Sequence, residues 1–240
     1  KSFSRTNTVY PGDLKFEDIS GPNGVPDGII DDKDRTFIGS PLPVFTFGLN
    51  NTFNYKNFDL TVFINGTYGN KVLNYMSRNL TNMESLWNNQ LAVVTDRARL
   101  EQIDPTLTYP RVNSTGGTVN NWFDDIDNVR VSNTNASQPR AIQNDPNDNN
   151  RLSDRYIEDG SYLRVKNIVL GDNFETKLVR KLHLTNLRVY ANVQNLLTLT
   201  KYSGFDPEIG VSTASVNVYG LDNGRYPSPQ IYTFGINLSF

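Results

Sequence analysis

The 240-residue chain has no cysteine, which excludes disulfides, thiolate metal sites and cysteine nucleophiles together. Its one histidine, His183, argues against a histidine-based zinc site and against histidine acid–base catalysis. A net charge of only −2 offers no basic surface, so no nucleic-acid partner is expected. No apolar run approaches the ~20 residues of a membrane-spanning helix. Nor is there an initiator methionine or a signal peptide, and the expectation is a C-terminal portion of a longer exported chain. Apolar residues make up 37%, yet aromatics reach 11% and asparagine occurs 31 times. A transmembrane β-barrel combines these values, because only alternate strand residues meet lipid while long polar loops dilute the average.

Alternation carries the fold reading. In the last ten residues Tyr232, Phe234, Ile236, Leu238 and Phe240 share one parity, against Thr233, Gly235, Asn237 and Ser239. A soluble protein avoids such an apolar edge, whereas a closed membrane barrel pairs it. Residues 44–55 alternate too, with Phe45, Phe47, Leu49, Phe53 and Tyr55 on one side. Lys56-Asn57 reads as a tight turn, and residues 58–68 alternate again through Phe58, Leu60, Val62, Ile64 and Tyr68. Residues 161–173 change parity between Val165 and Ile168, which predicts a bulge near Lys166-Asn167. Residues 187–195 alternate within a strand expected over 187–197, and a final strand spans 230–240. The expectation is five strands, with 1–43 an acidic extracellular loop and 44–240 a barrel segment. The loops 69–160 and 199–225 are then extracellular, and the connections at 56–57 and 174–183 and the C-terminus periplasmic. Residues 86–100 are expected to include a helix. Known barrels have about eight strands or more, so the rest of the wall must come from elsewhere.

Several clusters bear on chemistry. With Gly28 as the sixth position of an EF-hand-like loop, Asn23, Asp27, Asp31 and Asp34 fall at positions one, five, nine and twelve, although Val25 takes the third. Calcium stiffening the loop is one reading; a solvated acidic turn without metal is the other. Trp87, Tyr109, Trp122 and Phe123 lie in the largest loop, where aromatic faces can stack on a substrate, hold the loop together or pack on a partner. Asp124-Asp125 does not by itself flank one bond at the ~5–9 Å of a glycosidase pair, so no catalysis is expected. His183 is expected near the membrane interface.

Four motifs together resemble the C-terminal region of SusC/RagA-type TonB-dependent receptors of Bacteroidetes. They are Gly12-Asp13-Leu14-Lys15-Phe16-Glu17-Asp18 with Asp27-Gly28-Ile29-Ile30-Asp31-Asp32-Lys33-Asp34-Arg35; Gly39-Ser40-Pro41-Leu42-Pro43 leading to Phe47-Gly48-Leu49-Asn50; Arg155-Tyr156-Ile157-Glu158-Asp159-Gly160-Ser161-Tyr162-Leu163-Arg164-Val165-Lys166-Asn167; and Gln194-Asn195-Leu196-Leu197-Thr198 through Lys201-Tyr202-Ser203-Gly204 and Asp206-Pro207-Glu208 to Gly224-Arg225-Tyr226-Pro227 and the last strand. The resemblance implies a plug, absent from this chain, inside a barrel of about 22 strands. It implies a SusD-like surface lipoprotein as lid, TonB as energy coupler acting through the plug, and oligosaccharide or peptide import across the outer membrane. It also implies Asp18 as first ligand of the calcium loop. The terminal row from Tyr232 to Phe240 resembles the signal read by the barrel assembly machinery through strand addition. A non-transporting SusC-like component of a surface complex is the alternative, and a soluble β-sandwich binding module a more distant one.

Overall fold

The structure, a computed structural model, describes residues 9–85, 87–143, 145–174, 179, 183–209 and 218–240. In chain order its elements are β1 (Phe45–Tyr55), β2 (Phe58–Tyr68), β3 (Lys71–Asn74), α1 (Tyr75–Leu80), β4 (Leu100–Gln102), β5 (Arg111–Val112), β6 (Thr118–Val119), β7 (Val129–Val131), β8 (Ile157–Asp159), β9 (Tyr162–Asn173), β10 (Asn186–Thr200), β11 (Leu221–Asp222) and β12 (Ile231–Ser239). No helix among the described residues is long and apolar enough to cross a membrane. The chain divides into two compact units: Lys1–Phe37 with Ser77–Ser153, and Ile38–Met76 with Asp154–Phe240.

The second unit is built on an antiparallel sheet in the order β1-β2-β9-β10-β12. Its register aligns one apolar row across all five strands. Phe53 faces Leu60, Leu60 faces Leu170, Leu170 faces Ala191, and Ala191 faces Phe234. The ends of this row stay exposed, Phe53 at 59% and Phe234 at 81%, as do Tyr55 at 71% and Tyr232 at 60% on the same face. Water would penalise so broad an apolar face, whereas lipid matches it. Phe45 stacks on Tyr68 at 5.4 Å between ring centroids at one end of the hairpin, and Tyr55 pairs with Phe58 at the other. Aromatic pairs at both ends suit the two membrane interfaces.

Lys166 is the extra residue in β9, between Asn167 and Val165 opposite Phe63 and Ile64, where the parity change predicts a bulge. β10 has its own irregularity between Gln194 and Leu197, which the alternation alone does not reveal. Asn195 takes φ 52 there, a left-handed conformation asparagine tolerates better than most residues. Beyond both irregularities Ile64, Val165 and Leu197 lie side by side on the apolar face again. A smaller sheet, β11-β3-β8, sits in the same unit.

The first unit joins two stretches that the sequence reading treats as separate loops. It holds the short ladders β4–β7 and β5–β6, and its buried groups are largely polar: Asp125, Asn128, Gln138, Arg140, Asn147 and Asn149 beside Val94, Ala98 and Val129. Among the described residues 87–100 the helix expected over 86–100 is not formed. A 3₁₀ turn at Ala92–Asp96 precedes β4, and the β-branched run Val93-Val94-Thr95 suits a longer helix poorly. The helix α1 lies earlier, at Tyr75–Leu80. The basic connection at 174–183 falls mostly outside the described residues, as does part of the loop 199–225.

Candidate functional site

The face opposite the apolar row is polar. Thr52 and Thr61 place their hydroxyls 3.2 Å apart, and Asn65, Asn167, Asn192 and Gln194 follow across β2, β9 and β10. The Oδ1 atoms of Asn65, Asn167 and Asn192 are buried without a partner among the described residues. Near the Lys56-Asn57 turn, Arg188 of β10 reaches across β9 to Asp59 of β2, donating from Nε at 3.0 Å and Nη2 at 2.5 Å. That reach needs Gly171: a Cβ there would lie 2.5 Å from Arg188 Nη2 and 2.6 Å from Asp59 Oδ1. Tyr190 likewise lays its ring over Gly235, where a Cβ would meet ring atoms at 2.4 Å.

At the other end of the sheet, Arg164 of β9 is 3% exposed. It donates to Thr198 Oγ1 at 2.8 Å, Asp206 Oδ1 at 2.5 Å and Glu208 Oε2 at 2.7 Å. Lys166 shares Glu208 at 2.9 Å. Burial opposes ionisation of Asp206, but the Glu208 N–H, Arg164 and the Ser228 N–H outweigh it and hold its pKa at about 2. Tyr202, 6% exposed, donates to Asp222 at 2.5 Å. Burial, and then the Asp222 carboxylate, push its pKa up. Glu158 accepts from Asn74 Nδ2, Ser203 N–H and Ser203 Oγ, each at 2.8 Å. Arg164, Tyr202, Asp206 and Glu208 all belong to the motifs quoted above, yet none was singled out as a site residue. A charged residue inside an alternating strand, with Asp-x-Glu in the following loop, is the signal that could have found them.

In the first unit Asp13 accepts from Arg140 Nε at 2.8 Å, Asn149 Nδ2 at 3.0 Å and, through Oδ2, the Tyr10 N–H at 3.0 Å. Arg140 also stands 4.5 Å over the Tyr10 ring. Desolvation pushes the Tyr10 pKa up to about 12, against the pull of Arg140 and with help from Asp124 and Asp125. Asp125, fully buried, pairs with Arg111 and accepts from Tyr109. Desolvation opposes its charge, but Arg111 and Tyr109 prevail and hold its pKa below the usual carboxylate range.

The sequence-expected residues fall into separate places. Tyr109 joins Asp125 and also accepts from Asn128 Nδ2 at 2.9 Å. Trp122 and Phe123 pack edge to face at 5.9 Å, and Phe123 stays 48% exposed. Trp87 is 93% exposed. It belongs to the segment bordering a cleft of about 330 Å³ lined by Met83, Ser85, Asn88, Gln90, Arg97 and Ala141. None of the four aromatics lines that cleft. In the acidic loop, Asp34 accepts the N–H groups of Ile19, Ser20 and Asp31 and contacts the Asp18 carboxyl; the Asp31 N–H is the main reason its pKa is low. Asp18 Oδ2 takes the Gly28 N–H, while its Oδ1 is buried without a partner among the described residues. Asp27 and Asp31 cap the N–H groups of Ile29 and Lys33. Asn23 holds a positive φ of 63°. Among the described residues no three acidic or histidine side chains gather to hold a metal ion. The orphaned Asp18 oxygen beside Asp34 suits a cation; the other carboxylates are engaged by their own turn.

A five-stranded antiparallel sheet with one lipid-suited face and one polar face defines a segment of a transmembrane β-barrel wall. No family model matches the chain. It is 34% identical over 235 residues to TonB-dependent receptor P3 of Formosa agariphila, covering 96% of this chain and 19% of that protein. TonB-dependent receptor P26 of the same organism is 31% identical over 95% of this chain and 20% of its own length. TonB-dependent receptor SusC of Bacteroides thetaiotaomicron is 26% identical over 89% of this chain and 17% of its own. The fold is similar to the RagAB peptide transporter, with a TM-score of 0.59 at 21% identity, covering 88% of this chain and 18% of that one. The chain belongs to the TonB-dependent receptors, and it spans about a fifth of the length of the curated relatives it matches.

Proposed function

We propose that the chain supplies barrel wall and extracellular loops to an outer-membrane importer that takes up an oligosaccharide or peptide. TonB drives it through a plug carried elsewhere in the receptor, and a SusD-like surface lipoprotein lids it. The observation that carries this is the likeness to receptors named for TonB dependence, joined to a sheet with one apolar and one polar face. The exposed row from Tyr55 to Phe234 meets lipid. The asparagine-rich face meets water and whatever fills the barrel. The exposed Trp87 and Phe123 belong to the vestibule or the lid contact, and the row from Tyr232 to Phe240 serves as the assembly signal.

The test is a strain in which the full receptor gene is deleted and restored with and without functional TonB. Growth on single oligosaccharides and peptides should depend on both. Copurification should recover a surface lipoprotein with the tagged receptor. A receptor whose loss leaves every uptake unchanged, but whose removal scatters a surface complex, would favour the structural reading instead.

For the acidic loop we propose calcium held by Asp18 and Asp34, with Asp27, Asp31 and Asn23 turning towards it only on binding. Equilibrium dialysis with radioactive calcium, on wild-type receptor and on Asp34→Asn, reads this directly. Equal uptake by both leaves the self-capped acidic turn as the answer.

A further inference from the structure

We propose that residues 201–209 form a strap pinned over the polar face of the sheet, which sets the size of solute that can move along that face. The proposal rests on the barrel reading above, which makes this face the interior one. Arg164 is the pin. It stands on the polar face with Asn65 on one flanking strand and Thr198 on the other. Its guanidinium joins the wall, through Thr198, to the loop, through Asp206 and Glu208. Lys166 is released from the strand ladder by the β9 bulge and adds a second wall-to-loop contact at Glu208. A guanidinium at 3% exposure is strongly unfavourable without its carboxylates, so the strap is held against the wall rather than resting there.

The returning arm is tied to the same place. Asp206 Oδ2 accepts the Ser228 N–H at 3.0 Å, Arg225 Nη1 donates to the Glu208 carbonyl at 3.1 Å, and Asn195 Nδ2 donates to the Pro229 carbonyl at 2.9 Å. Tyr202 closes its ring over Gly204, where a Cβ would lie 2.4 Å from ring carbon. The low pKa of Asp206 keeps this carboxylate partner of Arg164 ionised at neutral pH. What the strap leaves open is chemically defined: the Glu208 side chain is 37% exposed between two cations, and the Phe205 ring is 67% exposed. A passing solute meets a carboxylate and an aromatic edge.

The experiment places a cysteine at Asn65, beside Arg164 on the polar face, in a cysteine-free full-length receptor in intact cells. Methanethiosulfonate and polyethylene-glycol maleimides of increasing size are applied from outside. With the strap in place, N65C should react with the small reagent and resist the large ones. Releasing the strap by Arg164→Met, or by Asp206→Asn with Glu208→Gln, should raise labelling by the large reagents on the order of a hundredfold. Heat-modifiable migration identifies receptor that has assembled. Glu208→Gln alone keeps the Arg164–Asp206 pair, covers the case in which the stronger variants fail to fold, and should give a smaller rise. Equal labelling by large reagents with the strap held and released overturns the proposal. A second cysteine at Phe234 separates the barrel reading: in lipid it stays unreactive to membrane-impermeant reagents. Free labelling of F234C in assembled receptor brings down the barrel reading and the strap with it.

Discussion

Placing an arginine at Phe234 tests the assignment of the two sheet faces. Phe234 is the fourth of nine residues in β12, is 81% exposed and lies opposite Ala191 of β10 on the apolar row. Two terms add. Removing the phenylalanine from lipid forfeits about 1.5–3 kcal/mol of apolar transfer, and an arginine near the bilayer midplane costs about 2–4 kcal/mol. Phe234→Arg should therefore cost roughly 3.5–7 kcal/mol. The neighbour Thr233, opposite Asn192 on the polar face, is the control, and Thr233→Arg should cost about 1 kcal/mol or less. The assay is urea unfolding of the full receptor in lipid vesicles, read by gel migration without heating, with assembled receptor counted in outer-membrane fractions. Phe234→Arg should lower the urea midpoint and sharply reduce assembled receptor, while Thr233→Arg leaves both near wild type. Equal effects of the two substitutions, or a larger one at Thr233, would refute the face assignment and the membrane reading built on it.

Three further outcomes follow from the polar contacts. Asp13→Ala strips Arg140 of its carboxylate at 9% exposure and should loosen the first unit by about 3–5 kcal/mol; limited proteolysis should cut faster within 9–37 and 77–153 while barrel assembly is unchanged. Gly171→Val forces a side chain into the Arg188–Asp59 pair and should lower the unfolding free energy, read from urea titration, by about 3 kcal/mol, whereas at Val169, on the same strand and face, Val169→Ala should cost about half that or less. Tyr10 has a folded-state pKa raised to about 12. Its burial thus contributes stability that is full below the ordinary tyrosine value of about 10 and is lost as pH rises towards 12. Hydrogen exchange around Tyr10 and Arg140 should accelerate over that window in the wild type and less so in Tyr10→Phe.

How much of this was legible follows from what a strand sequence records. Alternation reports the two solvents that a strand separates, so Phe45 to Tyr55, Phe58 to Tyr68 and the row from Tyr232 to Leu238 were placed to within a residue or two. The β9 bulge was legible for the same reason, since Val165 and Ile168 could not share a face without it. The second irregularity was not, because Leu196 and Leu197 are both apolar and hide the slip. The loop unit was hidden for a different reason. Asn147 and Asn149 sit in a stretch whose composition reads as solvated, yet they are 7% and 6% exposed. Asn147 Nδ2 donates to the Leu14 carbonyl and Asn149 Oδ1 accepts the Leu14 N–H, 133 and 135 residues away in sequence. A buried amide requires partners, but no local pattern says where they are. Tyr109 shows the same limit from the other side. Its ring suggested a substrate surface, whereas its hydroxyl bonds to Asp125 and Asn128. Among the four loop aromatics, the exposed Trp87 and Phe123 are therefore the ones whose substitution by alanine can change recognition without first disturbing the polar interior of the unit.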